Sequence, residues 1–200
     1  MSRIAFQGKY SRFLVDLYNR NKMLLLISTL IFFSSIFVGY LISGTIDYFM
    51  KTIIDSVKGK FSQEGINTLS IFMNNIKSGF IAYVGGIIGI VPVFVLFING
   101  IIIGYLATKI PTGTLLLYTV PHGIFEIPAI IISATAGFRI TSMIVHILIN
   151  LSKDKPVNEN YWELKDSIAL FAIAIVLFFI AAAIEANVTL ALGDYIKSLI

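Results

Sequence analysis

With 57% hydrophobic and 13% charged residues over 200 positions and a mean hydropathy of +0.89, the chain lies outside the composition of a soluble globular domain and reads as a membrane protein. The absence of cysteine excludes disulfides, thiolate nucleophiles and thiolate metal sites together. The net charge of +4 does not point to nucleic acid, because five of the 15 basic residues (Arg3, Lys9, Arg12, Arg20 and Lys22) precede the first apolar run, where they read as a positive-inside signal and a contact with anionic head groups.

Residues 1–22 form a basic amphipathic segment: Tyr10, Phe13, Leu14, Leu17 and Tyr18 recur at helical spacing opposite Lys9, Arg12, Asp16 and Arg20. It is expected to lie in the cytoplasmic interface. No signal-peptide cleavage pattern follows, so the first apolar run, charge-free from Met23 to Ile46, is expected to be a retained span. Residues 45–77 then lie outside. Within them Ile66, Leu69, Phe72, Met73 and Ile76 keep a 3.6-residue period, which predicts a second interfacial helix leading into span two, with Asn74 and Asn75 capping it.

Span two is charge-free from Ser78 to Thr108 and long for a single crossing. Gly85 and Gly89, and again Gly100 and Gly104, form small-xxx-small ridges expected to pack helices closely. Pro92 either kinks this span or divides it. Asn99, on a glycine-flanked position, is expected to bond across helices.

The region Pro111 to Leu151 admits two topologies. Either a broken span from Leu115 to Ala136 turns at Gly137 and returns from Phe138 to Leu151, giving five passes, or a half-helix dips in and leaves four. The five-pass form is preferred, with the polar segment Ser152 to Asp166 inside and the C-terminus outside. A last span, Ser167 to Ala186, ends in three alanines and Glu185. Arg139 is expected to snorkel to head groups, His146 to be a packed or interfacial histidine, and Trp162 with Tyr161 to anchor the interface.

The richest stretch is Pro121-His-Gly-Ile-Phe-Glu-Ile-Pro128, built on the backbone of Pro121, Gly123 and Pro128. On a helix starting near Pro121, His122 and Glu126 are an i, i+4 pair on one face, and Pro128 frees a carbonyl near residue 124. Ionisable groups at membrane depth face a protein interior or a wet cavity. Three uses compete: a buried polar network, a proton or ion path, and metal-dependent hydrolysis. The last needs a third ligand from His146 or Glu185. The network is preferred. No catalytic residue, no metal and no cofactor is expected, since no Walker, H-E-x-x-H or G-x-S-x-G pattern occurs.

Ile71-Phe-Met-Asn-Asn75, Asn99-Gly100 with Gly104, the Pro121 to Ala129 block, and Ala182-Ala-Ile-Glu185 with Thr189 together resemble the stage II sporulation protein M family over residues 71–189. The resemblance implies an integral membrane protein of the multi-pass type. In spore-forming bacteria such a protein acts as a membrane scaffold beside two peptidoglycan-degrading partners. It also implies that His122, Glu126 and Glu185 are hallmark polar residues and Asn75 and Asn99 the family's asparagines.

The expectation is therefore a single integral domain over residues 1–200: an all-α, polytopic transmembrane bundle of about five passes, some broken by proline or glycine, with amphipathic interfacial helices, residing in the cell membrane. Its expected role is a non-catalytic scaffold or assembly protein. The alternative is a permease or channel whose path is lined by His122, Glu126, Asn99 and Glu185. The expected partners are the lipid bilayer, a second copy of the chain, and other membrane or cell-envelope proteins.

Overall fold

The computed structural model describes residues 2–64, 67–156 and 160–189, with side chains described over 12–56, 67–156 and 160–188. Ile66 and the side chains of Arg3, Lys9, Tyr10 and Thr189 lie outside the described residues. Six helices follow in order: α1 (Ser2–Leu41), α2 (Asp47–Glu64), α3 (Thr68–Val84), α4 (Val91–Lys109), α5 (Thr112–Ser152) and α6 (Tyr161–Ile184), the last continuing into a π-helical turn, Glu185–Thr189. The protein is an all-α bundle, without strand among the described residues.

Four stretches are long and apolar enough to cross a membrane: Arg12–Leu41, Val91–Lys109, Thr112–Ser152 and Tyr161–Val188. Many of their large apolar side chains point outward, including Leu30, Phe33, Phe37, Phe94 and Val176, each more than half exposed. So continuous an apolar surface is suited to lipid rather than water.

The bundle has two ends. Arg20, Arg139 and Asp166 meet at one, while Asp47, Tyr105 and Lys109 meet at the other. Helices α1, α4 and α6 run from the Arg20 end toward the Asp47 end, and α3 and α5 run back. At 17 residues, and carrying Asn74, Asn75 and Lys77, α3 is shorter and more polar than the four long apolar stretches but packs in the bundle beside them. Five segments alternating in direction thus make up the bundle, with residues 153–156 and Asn160 at the Arg20 end and Glu185 nearer the other.

These five segments are not those drawn from the sequence. The expected turn at Gly137 is absent, since α5 is one helix of 41 residues passing through Pro121, Pro128 and Gly137. Gly137 instead lets α5 press on its neighbours: a methyl group there would strike the Ala82 carbonyl of α3 and Pro92 of α4. The break falls in the long apolar run before it. Gly85–Ile87 form a 3-10 turn, Gly89 takes φ +79°, a left-handed conformation open to glycine, and Pro92 sits in the first turn of α4, where its missing N–H costs nothing. Lys109 accordingly returns to the Asp47 end rather than to the Arg20 end.

Two interfacial expectations change as well. Residues 2–41 form one unbroken helix, so the basic segment continues the first span axially. Residues 68–84 belong to the bundle: Ile71, Gly79 and Ala82 of α3 are buried against α5 and α6. The polar helix of the outer segment is α2, upstream of the one read from periodicity.

Without water to drive apolar surfaces together, helices in lipid associate where small residues allow backbones to approach. Gly100 and Gly104 of α4 do this against α1, where added methyls would overlap Ser35 Oγ and the Ile36 carbonyl. Between the ends lies a dry core in which Phe32, Leu96, Ala129, Ile130, Ala134, Ala174 and Phe178 are buried together.

Candidate functional site

His122 and Glu126 share one face of α5, as their spacing requires, with His122 Nε2 3.6 Å from Glu126 Oε2. Both prolines of the motif lie inside the helix rather than at its start, Pro121 included, because α5 already begins at Thr112. Each removes one ladder bond, from the carbonyls of residues 117 and 124, a loss that membrane helices tolerate when neighbours enclose them.

The third member comes from α6. Glu185 enters where the helix loosens into its π turn, and one ligating atom from each of His122, Glu126 and Glu185 lies within 4.8 Å of the others. Three of the four residues assigned to an intramembrane polar core therefore form one cluster, drawn from two helices. Asn99, the fourth, lines the cavity beside it, but its Nδ2 donates to the Val95 carbonyl of its own helix at 2.8 Å, not across helices.

That cavity has a volume of about 380 Å³ and is bounded by Asn74, Asn75 and Ser78 of α3, Asn99 of α4, and Thr119, His122, Gly123 and Glu126 of α5. Asn74 and Asn75 are not caps. They sit in the second turn of α3, whose N-cap is Asn67: its side chain accepts from the Ser70 N–H while Ser70 Oγ accepts from the Asn67 N–H. Mid-helix amides turned toward a cavity have a different use, and Asn75 Nδ2 is shut off from solvent without a hydrogen-bond partner. On its deep side the cavity meets Phe32, Ile130 and Phe178 of the dry core. Gly85 and Gly89, expected as a packing ridge, are remote from it and form the α3–α4 turn.

A second polar cluster occupies the Arg20 end. Arg139 is 7% exposed and does not snorkel. Its Nε donates to Asn21 Oδ1 at 2.7 Å and its Nη2 to the Arg20 carbonyl at 2.5 Å, while its guanidinium lies 5.1 Å from the Trp162 ring centre and 4.0 Å from Glu163 Oε2. Arg20 grips Asp166 through two bonds of 2.8 and 2.7 Å. Glu163, fully buried, bonds His146 Nδ1 at 2.6 Å. His146 is thus a partner for Glu163 and lies far from the His122 cluster, and Trp162 packs on a cation instead of serving only as an interfacial anchor. Sequence reading assigned none of these pairings. The available signal was two acids at i, i+3, Glu163 and Asp166, on the first turns of an otherwise apolar helix.

Compared with known proteins, the chain is 29% identical over 181 residues to the uncharacterized protein MJ0706 of Methanocaldococcus jannaschii, covering 85% of this chain and 83% of that one. It is 37% identical over 136 residues to MJ0793 of the same organism, covering 65% and 75% respectively. No solved structure matches. The family model described as stage II sporulation protein M matches residues 28–190, taking in the latter part of the first span, the polar motif and Glu185, and the chain is therefore a membrane protein belonging to the stage II sporulation protein M family.

Proposed function

We propose that this protein is a non-catalytic scaffold or assembly partner in the cell membrane, on which other membrane or cell-envelope proteins are organised. The observation that supports this reading is the shape of the polar cavity: it ends on Phe32, Ile130 and Phe178, and between it and the Arg20 end lies packed core whose few hydroxyls, Ser28, Ser133 and Thr135, are fully buried, Ser28 and Thr135 bonded to each other. At that far end the charged groups are engaged with one another. A permeation path would need a continuous polar lining through this layer.

The second reading is a permease or channel, favoured by the asparagine, histidine and glutamate lining of the cavity. Reconstitution into vesicles separates the two. The scaffold reading expects no flux of protons, alkali cations or small solutes above that of empty vesicles. Flux that Glu126→Gln abolishes would establish the permease instead.

A further inference from the structure

We infer that His122, Glu126 and Glu185 bind a divalent transition-metal cation of the zinc and manganese class, which clamps α5 to α6 at the edge of the polar cavity. The inference is independent of the scaffold reading. Its starting point is geometry: an imidazole and two carboxylates from two helices offer one ligand atom each within 4.8 Å of one another, and the His122 to Glu126 separation is 3.6 Å. Ligand atoms at about 2.0–2.1 Å from a tetrahedral ion stand roughly 3.3 Å apart.

Charge balance points the same way. No lysine or arginine lines the cavity, and among the described residues no lysine or arginine is ion-paired to Glu126 or Glu185. Two neighbouring carboxylates at membrane depth need a positive charge, supplied either by a proton or by a cation. A hydrated cation adds acceptors that a shared proton does not, the oxygens of its outer-shell waters, and Asn75 Nδ2, shut off from solvent and without a partner, lines the same cavity and can donate to them. The cavity is large enough for waters that complete the coordination shell.

The donor set selects the ion. Imidazole disfavours magnesium and calcium, the absence of thiolate disfavours copper(I), and one nitrogen with two carboxylates suits zinc or manganese. The π turn at Glu185 fits this assignment, since such turns recur where a helix must aim a side chain at a functional site.

The test uses the full chain, purified in mild detergent without a histidine tag or chelator. Metal content is measured first, and binding of Zn²⁺, Mn²⁺ and Mg²⁺ is then followed by thermal unfolding after chelator treatment. The expected result is about one equivalent of retained zinc or manganese, and a rise in Tm on adding Zn²⁺ or Mn²⁺ but not Mg²⁺. Glu126→Gln and Glu185→Gln should each weaken binding by more than about tenfold, with the metal-free Tm close to that of the parent. Glu185→Gln, on the other helix, carries the test if Glu126→Gln does not fold. The inference is overturned if the parent retains no metal and shows no shift, which leaves a shared proton. It is equally overturned if both variants bind as tightly as the parent, which places the ion elsewhere.

Discussion

The two polar clusters of this bundle are opposites in construction. At the Arg20 end, basic and acidic groups are matched: Arg20 with Asp166, Arg139 with Asn21 and the Arg20 carbonyl, and Glu163 with His146. At the other, His122 and Glu126, joined by Glu185, face a cavity lined by amides and, among the described residues, no fixed cation. In the first arrangement fixed cations stand beside the acids, and Glu163 Oε2, which makes no hydrogen bond, lies 4.0 Å from the Arg139 guanidinium. The second is polar, roomy and short of positive charge, which is the character of a site. Burial alone does not separate them; charge matching does.

That contrast can be broken most directly at Arg139. Arg139→Met removes the donor to Asn21 and the cation over Trp162 while leaving Glu163 buried. A loss of about 3–5 kcal/mol is expected, read as a large drop in Tm in detergent. A Tm within a degree or two of the parent would mean that the network contributes nothing to the fold. Next in size is the α1–α4 seam. Gly100→Leu drives a side chain into Ser35 and the Phe32 carbonyl, and a cost of at least about 1–3 kcal/mol is expected. Because this glycine packs within one chain, the change should lower stability rather than alter the oligomeric mass, and light scattering distinguishes the two.

The cavity should respond differently. In metal-free protein, Glu126→Gln replaces a carboxylate without a lysine or arginine partner by a neutral amide of the same shape, and stability is expected to stay within about 1 kcal/mol of the parent or to rise. A destabilisation as large as that of Arg139→Met would show that the carboxylate is structurally matched after all. The smallest effect concerns Asp47, which accepts from Lys109, Lys51 and Tyr105. Hydrogen bonds from Lys109, then Lys51 and Tyr105, hold its carboxyl well below the ordinary range. Its folded value being depressed, the stabilisation is present above the unfolded value of about 3.9 and fades as pH falls toward the folded one. Asp47→Asn should therefore flatten a shallow loss of stability below about pH 4 and leave neutral pH little changed. Asp47 is partly and its two lysines largely open to solvent, so salt should weaken the effect.

Local features were legible without the fold. The i, i+4 relation of His122 and Glu126 follows from helical period, and it holds in the structure. The membrane setting follows from charge-free length. Glycine and proline were ambiguous for a physical reason: the same residue can turn a chain or admit a neighbour. Gly137 was expected to turn and instead packs, whereas Gly85 and Gly89 were expected to pack and instead turn. Asn74 and Asn75 were misplaced because capping depends on where the helix begins, and Asn67 with Ser70 begins it earlier. Arg139 was read as interfacial because its acidic partner belongs to α6, beyond the reach of any local pattern.

The sequence by itself determined that the chain is helical, that it lives in lipid, that it carries the family's polar motif, and that an imidazole and a carboxylate share one helical face. These depend on composition and on the period of a helix, which act over a few residues. Only the tertiary structure decided that Glu185 completes that pair, that the asparagines of α3 and α4 surround it, and that Arg139 is buried beside Glu163. Such meetings depend on which helices lie side by side. In a bilayer, where apolar surfaces gain little by leaving lipid, that choice rests on the fit of small residues across the seams.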